Sequence, residues 1–163
     1  MQAINLEIVG LGVILYSPFA VTHIGERTDY LQEHFTKPED IARHVMECEL
    51  TSFCTGSPGM FRLRFLDGAP TAEEVQAAEF KLRLGLEVRG GKVCVRDLYD
   101  LMDWFPECPT PQQVRVSDGW YLLTVYSSRP PGGILGDRQV VSIFMESVDS
   151  KPALRWEGVP HLC

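Results

Sequence analysis

The stretch FKLRLGLEVRGGKVCVRD, Phe80 to Asp97, limits what this chain can fold into more than any other. Phe80, Leu82, Leu84, Leu86 and Val88 alternate with Lys81, Arg83, Gly85, Glu87 and Arg89. Successive strand residues face opposite sides of a sheet, so this reads as a strand with one apolar and one wet face. Gly90-Gly91 supplies the positive φ angles of a tight turn, and Lys92–Arg96 then returns with Val93 and Val95 buried. The pattern predicts an antiparallel hairpin, because a sheet with one wet face is usually antiparallel.

The same grammar recurs along the chain. FRLRFLDG hides Phe61, Leu63 and Phe65, exposes Arg62 and Arg64, and turns at Asp67-Gly68. QVRV places Val114 and Val116 together, and DGWYLLTVYSS follows a turn at Asp118-Gly119. Both faces of that last strand are apolar, which predicts a central strand covered on both sides. RQVVSIFMESV, Arg138 to Val148, reads as a late core strand, and LRWEGV as a short addition. The apolar run from Ile8 to Tyr16 lacks the flanks of a signal peptide and is too short to span a bilayer, so it reads as an early buried strand.

Two short helices are expected beside the strands. TKPEDIARHVMEC offers Thr36 as N-cap with Glu39 three residues later, burying Ile41, Val45 and Cys48, or Ala42 and Val45, and leaving His44 exposed. TAEEVQAAEF repeats the capping box with Thr71 and Glu74. RDLYDLMDWF reads as a brief helical turn, and Gly56–Gly59, Pro106–Pro111 and Arg129–Gly133 as connectors. At 163 residues with no repeat or linker, one domain over 1–163 is expected. The fold class is mainly β, an antiparallel β-sandwich with one or two short peripheral α-helices.

Charge narrows the partners. Asp and Glu number 22 against 15 Lys and Arg, a net charge of −7. That sign repels phosphate backbones, disfavours nucleic acid, and suits a protein partner with a basic surface. Five cysteines without a CxxC motif fit reduced thiols and a cytoplasmic protein better than a secreted disulfide framework. GSPG and RPPGG fit neither phosphate-loop spacing and read as turns. His44 and Cys48 share a helical face, but a second ligand pair is missing, so no metal and no cofactor is expected. Cys54, in a turn-rich loop, is the most tempting nucleophile for a Cys/His enzyme.

Asp97, Asp100 and Asp103 recur at threefold spacing beside Tyr99 and Trp104. Carboxylates can stand in for phosphates in a basic cleft, and aromatic anchors supply a dry centre. These five residues are the expected partner-binding surface. Trp104, Trp120 and Trp156 offer a rival use, as platforms for a carbohydrate or other small ligand.

VSDGWYLLTVYSS, together with LEVRGGKVCVRD, resembles small bacterial acidic β-sandwich proteins. Some of these are of the competence protein J and nuclease-inhibitor type, others are immunity proteins encoded beside toxins. The likeness spans Phe61 to Val148 and carries over no functional residue. It implies a non-enzymatic protein that binds and blocks a partner enzyme or toxin.

Overall fold

The computed structural model describes every residue except 157 and 163. In chain order its elements are β1 (Gln2–Ile8), β2 (Gly12–Tyr16), α1 (Tyr30–His34), α2 (Pro38–Glu47), β3 (Leu50–Cys54), β4 (Gly59–Asp67), α3 (Ala72–Ala77), β5 (Phe80–Val88), β6 (Lys92–Asp97), β7 (Gln113–Arg115), β8 (Gly119–Ser127) and β9 (Gln139–Val148). The strands form a five-stranded sheet, β1-β4-β9-β8-β5, and a four-stranded sheet, β3-β2-β6-β7. Pairing is antiparallel except between β4 and β9, which run parallel. The molecule is the mainly-β sandwich with short peripheral helices that the alternation predicts.

Period-2 patterning builds the core between the sheets. Leu6, Leu63, Leu84, Leu123 and Ile143 from the larger sheet meet Val13, Leu15, Val93 and Val95 from the smaller one. Each such side chain contributes about 1.5–3 kcal/mol by leaving water. The smaller sheet is also covered on its other face. There Ile14, Tyr16, Leu50 and Cys94 pack against Tyr30, Phe35, Ile41, Leu101 and Trp104, forming a second core under a helical cap. Every residue of β2 is therefore buried, which explains its unbroken apolar run. The run is not one strand, however. Ile8 closes β1 in one sheet, and β2 opens at Gly12 in the other.

The expected hairpin does not form. β5 pairs with β8, while β6 pairs with β2 and β7. Gly90 and Gly91 do adopt positive φ, 82° and 74°, but their turn carries the chain across the sandwich. Alternation fixes which face of a strand is buried, not which strand lies beside it. The apolar faces of β5 and β6 meet through the core instead of lying side by side.

Other elements depart in detail. α2 is capped at Lys37 with Pro38 in its first turn, where the fixed φ of proline suits a helix start. Thr36 instead donates its hydroxyl to the Gln32 carbonyl at 3.3 Å. His44 is buried, not exposed. α3 carries the expected capping box: Thr71 Oγ1 accepts from the Glu74 amide, and Glu74 Oε2 accepts from the Thr71 amide. The turn expected in RDLYDLMDWF is a 3-10 turn over Leu98–Met102. β8 is interior to its sheet, but its outer face is only partly covered: Trp120 and Leu122 stay half-buried. No described residue of the LRWEGV segment is in a strand, and Glu157 lies outside the described residues. That segment runs beside β5, where Trp156 Nε1 donates to the Arg83 carbonyl at 3.1 Å. No helix among the described residues is long and apolar enough to cross a membrane.

Candidate partner-binding surface

The five residues singled out by sequence lie where β6 leaves the smaller sheet and enters the cap, and they divide into buried and exposed sets. Asp97, the last residue of β6, is buried. Its Oδ2 accepts from the amides of Val9 (2.7 Å) and Gly10 (3.1 Å), and its Oδ1 from the amide of Tyr99 (3.0 Å). It caps the 3-10 turn and pins the β1–β2 crossing to it. A Cβ on Gly10 would fall 2.7 Å from Tyr99 Cδ1, so that crossing passes directly under the Tyr99 ring. Trp104 is fully buried, with its ring 5.7 Å from that of Tyr16. Neither Asp97 nor Trp104 offers its side chain to solvent, and both act on this surface from beneath.

Tyr99, Asp100 and Asp103 do face outward. Tyr99 is 43% exposed. Asp100 Oδ2 accepts from Arg96 Nε at 2.8 Å, leaving its side chain 39% exposed. Asp103 lies 3.3 Å from Arg27 Nη1, and both side chains are more than half exposed. Around them stand the exposed apolar side chains of Val9, Leu11, Met102 and Phe105. The exposed carboxylates thus stand among exposed apolar side chains.

Arg96 organises this region, and its role was not read from the sequence. It is buried at 5% exposure, yet bonds to Asp100, to the Phe105 carbonyl at 2.6 Å and to Tyr16 Oη at 3.3 Å. Its guanidinium lies 4.5 Å from the Trp104 ring centroid. Burial opposes its charge, but the bonds to Tyr16 and Asp100 outweigh that, and its pKa moves up. Burial likewise raises the Tyr16 phenol. The hairpin reading buried Val93 and Val95 and gave Arg96 no role. The signal that would have found it is the Arg96–Asp100 spacing beside Trp104.

The rival constellations separate. His44 Nδ1–H donates to the Asp40 carbonyl at 2.7 Å, and Nε2 accepts from Tyr30 Oη at 2.8 Å. Cys48 turns away from it toward Gly85, and burial pushes its thiol up to about 11. Among the described residues no cluster of three His, Cys, Asp or Glu side chains could hold a metal ion. Cys54 ends β3 and is backbone-paired to the 160–162 segment. The more acidic thiol is Cys108: a hydrogen bond from the Cys94 thiol leads the causes that bring it down to about 7, with Arg96 and Lys92 helping. The three tryptophans form no common platform. Trp104 is in the cap core, Trp120 on the outer face of β8, and Trp156 beside β5.

A two-sheet sandwich with a helical cap over the smaller sheet defines a fold that solved proteins share. One is ComJ from Bacillus subtilis, the inhibitor of the DNA-degrading activity of NucA. It matches at a TM-score of 0.52 and 15% identity, over 91% of this chain and 96% of that one. Another is the crocagin biosynthetic gene J product, at a TM-score of 0.55 and 12% identity, over 88% and 96% of the two chains. No family model and no curated protein sequence matches this chain. The resemblance read from the sequence to competence protein J is thus present in the fold, and it extends well beyond Phe61–Val148.

Proposed function

We propose that this protein is a non-enzymatic inhibitor that binds a partner enzyme or toxin through the Tyr99, Asp100 and Asp103 surface. The carrying observation is the fold shared with a nuclease inhibitor over nearly the whole of both chains. The geometry agrees with that role. Arg96 holds Asp100, and Asp97 holds Tyr99, on a fixed scaffold, which lowers the ordering cost of binding. The net charge of −7 steers a basic partner to the molecule. A basic partner, such as a nuclease whose cleft grips phosphates, meets carboxylates in their place with Tyr99 and its apolar neighbours drying the centre.

The test is titration of the protein into the activity of a nuclease or toxin encoded beside its gene. Stoichiometric loss of that activity, weakening with added salt, is the expected result. Because Asp97 and Asp100 also hold the fold, Tyr99→Ala and Asp103→Lys are the clean variants, and each should weaken inhibition by about tenfold or more. Full activity at excess inhibitor would overturn the inhibitory role. Undiminished inhibition by the folded double variant would overturn the surface.

A further inference from the structure

On the opposite side of the sandwich, the outer face of the five-stranded sheet holds a cavity of about 320 Å³. Strand register arranges its floor. Arg64 on β4 lies beside Ser142 on β9, and Ser142 beside Tyr126 on β8. Neighbouring strands are about 4.8 Å apart, so three hydrogen-bonding side chains stand in one row on one face. Phe144 meets Tyr126 edge to face, with ring centroids 5.9 Å apart, and both rings are more than nine-tenths buried. Tyr126 lines the cavity, and its hydroxyl, which is not among the enclosed polar atoms, makes no hydrogen bond among the described residues. Its ring is buried while the hydroxyl end stays open, so that end is free to bond a ligand.

Charge in the cavity runs against the molecule as a whole. Arg64, Arg129 and Arg138 line it in a chain of net charge −7. Arg129 is 3.8 Å from Glu79. No carboxylate among the described residues lies within ion-pair distance of Arg64 or Arg138. Glu74 is the one carboxylate in the lining, and its Oε2 is held by the Thr71 amide. Arg138 takes a left-handed φ of 52° as it enters β9, a conformation uncommon outside glycine, asparagine and aspartate.

We infer that this cavity is a binding site for a small organic oxyanion, a carboxylate or phosphate on an apolar body. Arg64 and Arg138 hold the oxyanion through the donor forks that match such groups. The Tyr126 hydroxyl donates a further bond, and the Phe144 ring and Pro130–Pro131 wall receive the apolar body. The volume falls at the lower end for small-molecule sites. This function is independent of the inhibitory surface, which lies on the far side of the other sheet.

The test is calorimetric titration with phenyl phosphate and with phenylacetate, with benzyl alcohol as the neutral counterpart. The expected result is saturable binding of at least one anion with Kd below about 1 mM and none of the alcohol. Tighter phenyl phosphate assigns a phosphate monoester, tighter phenylacetate a carboxylate. Arg64→Ala/Arg138→Ala should weaken binding about tenfold or more, and Tyr126→Phe, which keeps the ring, by about three- to tenfold. Amide chemical shifts of the remaining residues establish that both variants keep the fold. Absence of saturable binding for both anions up to their solubility limit would overturn the site, as would equal affinity in the folded double-arginine variant.

Discussion

Among single residues, His44 ties stability to pH. Its ring is fixed between the Asp40 carbonyl, which takes the Nδ1 proton, and the Tyr30 hydroxyl, which donates to Nε2. Burial disfavours the imidazolium, so its pKa is lowered, with the Asp40 bond and Glu47 opposing and Arg43 assisting. In the unfolded chain the ring titrates near about 6.5. Below that value the unfolded state binds the proton more readily, so the stabilisation is complete above about 6.5 and is lost as pH falls through the folded value. Urea midpoints should therefore drop between about pH 7.5 and about pH 5.5, and His44→Gln should flatten the drop. An identical slope in the variant would assign the acid sensitivity elsewhere. The acidic cluster shows how much of a residue's role sequence can carry. Threefold spacing groups Asp97, Asp100 and Asp103, with Tyr99 and Trp104 beside them, but it does not sort buried from exposed. Asp97 immediately precedes a turn, the position where aspartate caps a helical end, and its carboxylate is turned inward by three amides. Trp104 is drawn under the surface by Arg96 and Tyr16, contacts that need the tertiary fold and leave no local pattern.

Between elements, Gly85 records a close approach. Cys48 caps the C-terminus of α2 in a left-handed conformation, φ 58°, and its carbonyl accepts from the Glu87 amide at 2.7 Å. The thiol then lies over β5: a Cβ on Gly85 would sit 2.5 Å from Cys48 Sγ and 3.1 Å from Leu154 Cδ1. Gly85→Ala should overpack this contact and destabilise the protein by about 1–3 kcal/mol. Cys48→Ala in the same chain should recover much of that loss, because the nearer obstacle is the sulfur. Denaturant midpoints of the four members of the cycle measure the coupling, and purely additive effects would refute the contact. The same glycine sat in the alternating run that made β5 legible. Alternation identified β4, β5, β8 and β9 because each wets one face or sits in a strongly apolar sheet. It misassigned the partner of β6 because a glycine turn between sheets and one between neighbouring strands use the same φ angles. α1, β3 and β1 escaped notice, β1 despite its alternation of buried Ile4, Leu6 and Ile8 with exposed residues. Five residues are too few for a helical stripe, and β3 is buried along nearly its whole length without alternation.

For the molecule as a whole, the four-stranded sheet decides how it comes apart. β2 gives Val13 and Leu15 to the core between the sheets, and Ile14 and Tyr16 to the core under the cap. β6 does the same with Val93 and Val95 on one side and Cys94 on the other. Lifting the cap would therefore expose Ile14, Leu50 and Cys94 and strip Arg96 of Asp100 and the Phe105 carbonyl. A buried cation left without its partners costs several kcal/mol. The backbone adds a clasp, because the Arg27 amide donates to the Trp104 carbonyl and the Trp104 amide to the Thr28 carbonyl. The two cores should thus melt together, as one cooperative unit spanning the chain. The tryptophans make this measurable, since Trp104 reports on the cap while Trp120 and Trp156 report on the larger sheet. Urea unfolding followed by fluorescence and by far-UV circular dichroism should give coincident transitions. A variant carrying Trp120→Phe and Trp156→Phe, in which only Trp104 fluoresces, should keep that coincidence. A fluorescence transition at lower urea than the circular dichroism in that variant would mean that the cap opens by itself. The Tyr99, Asp100 and Asp103 surface would then be a mobile flap, and the fixed scaffold invoked for partner binding would be lost with it.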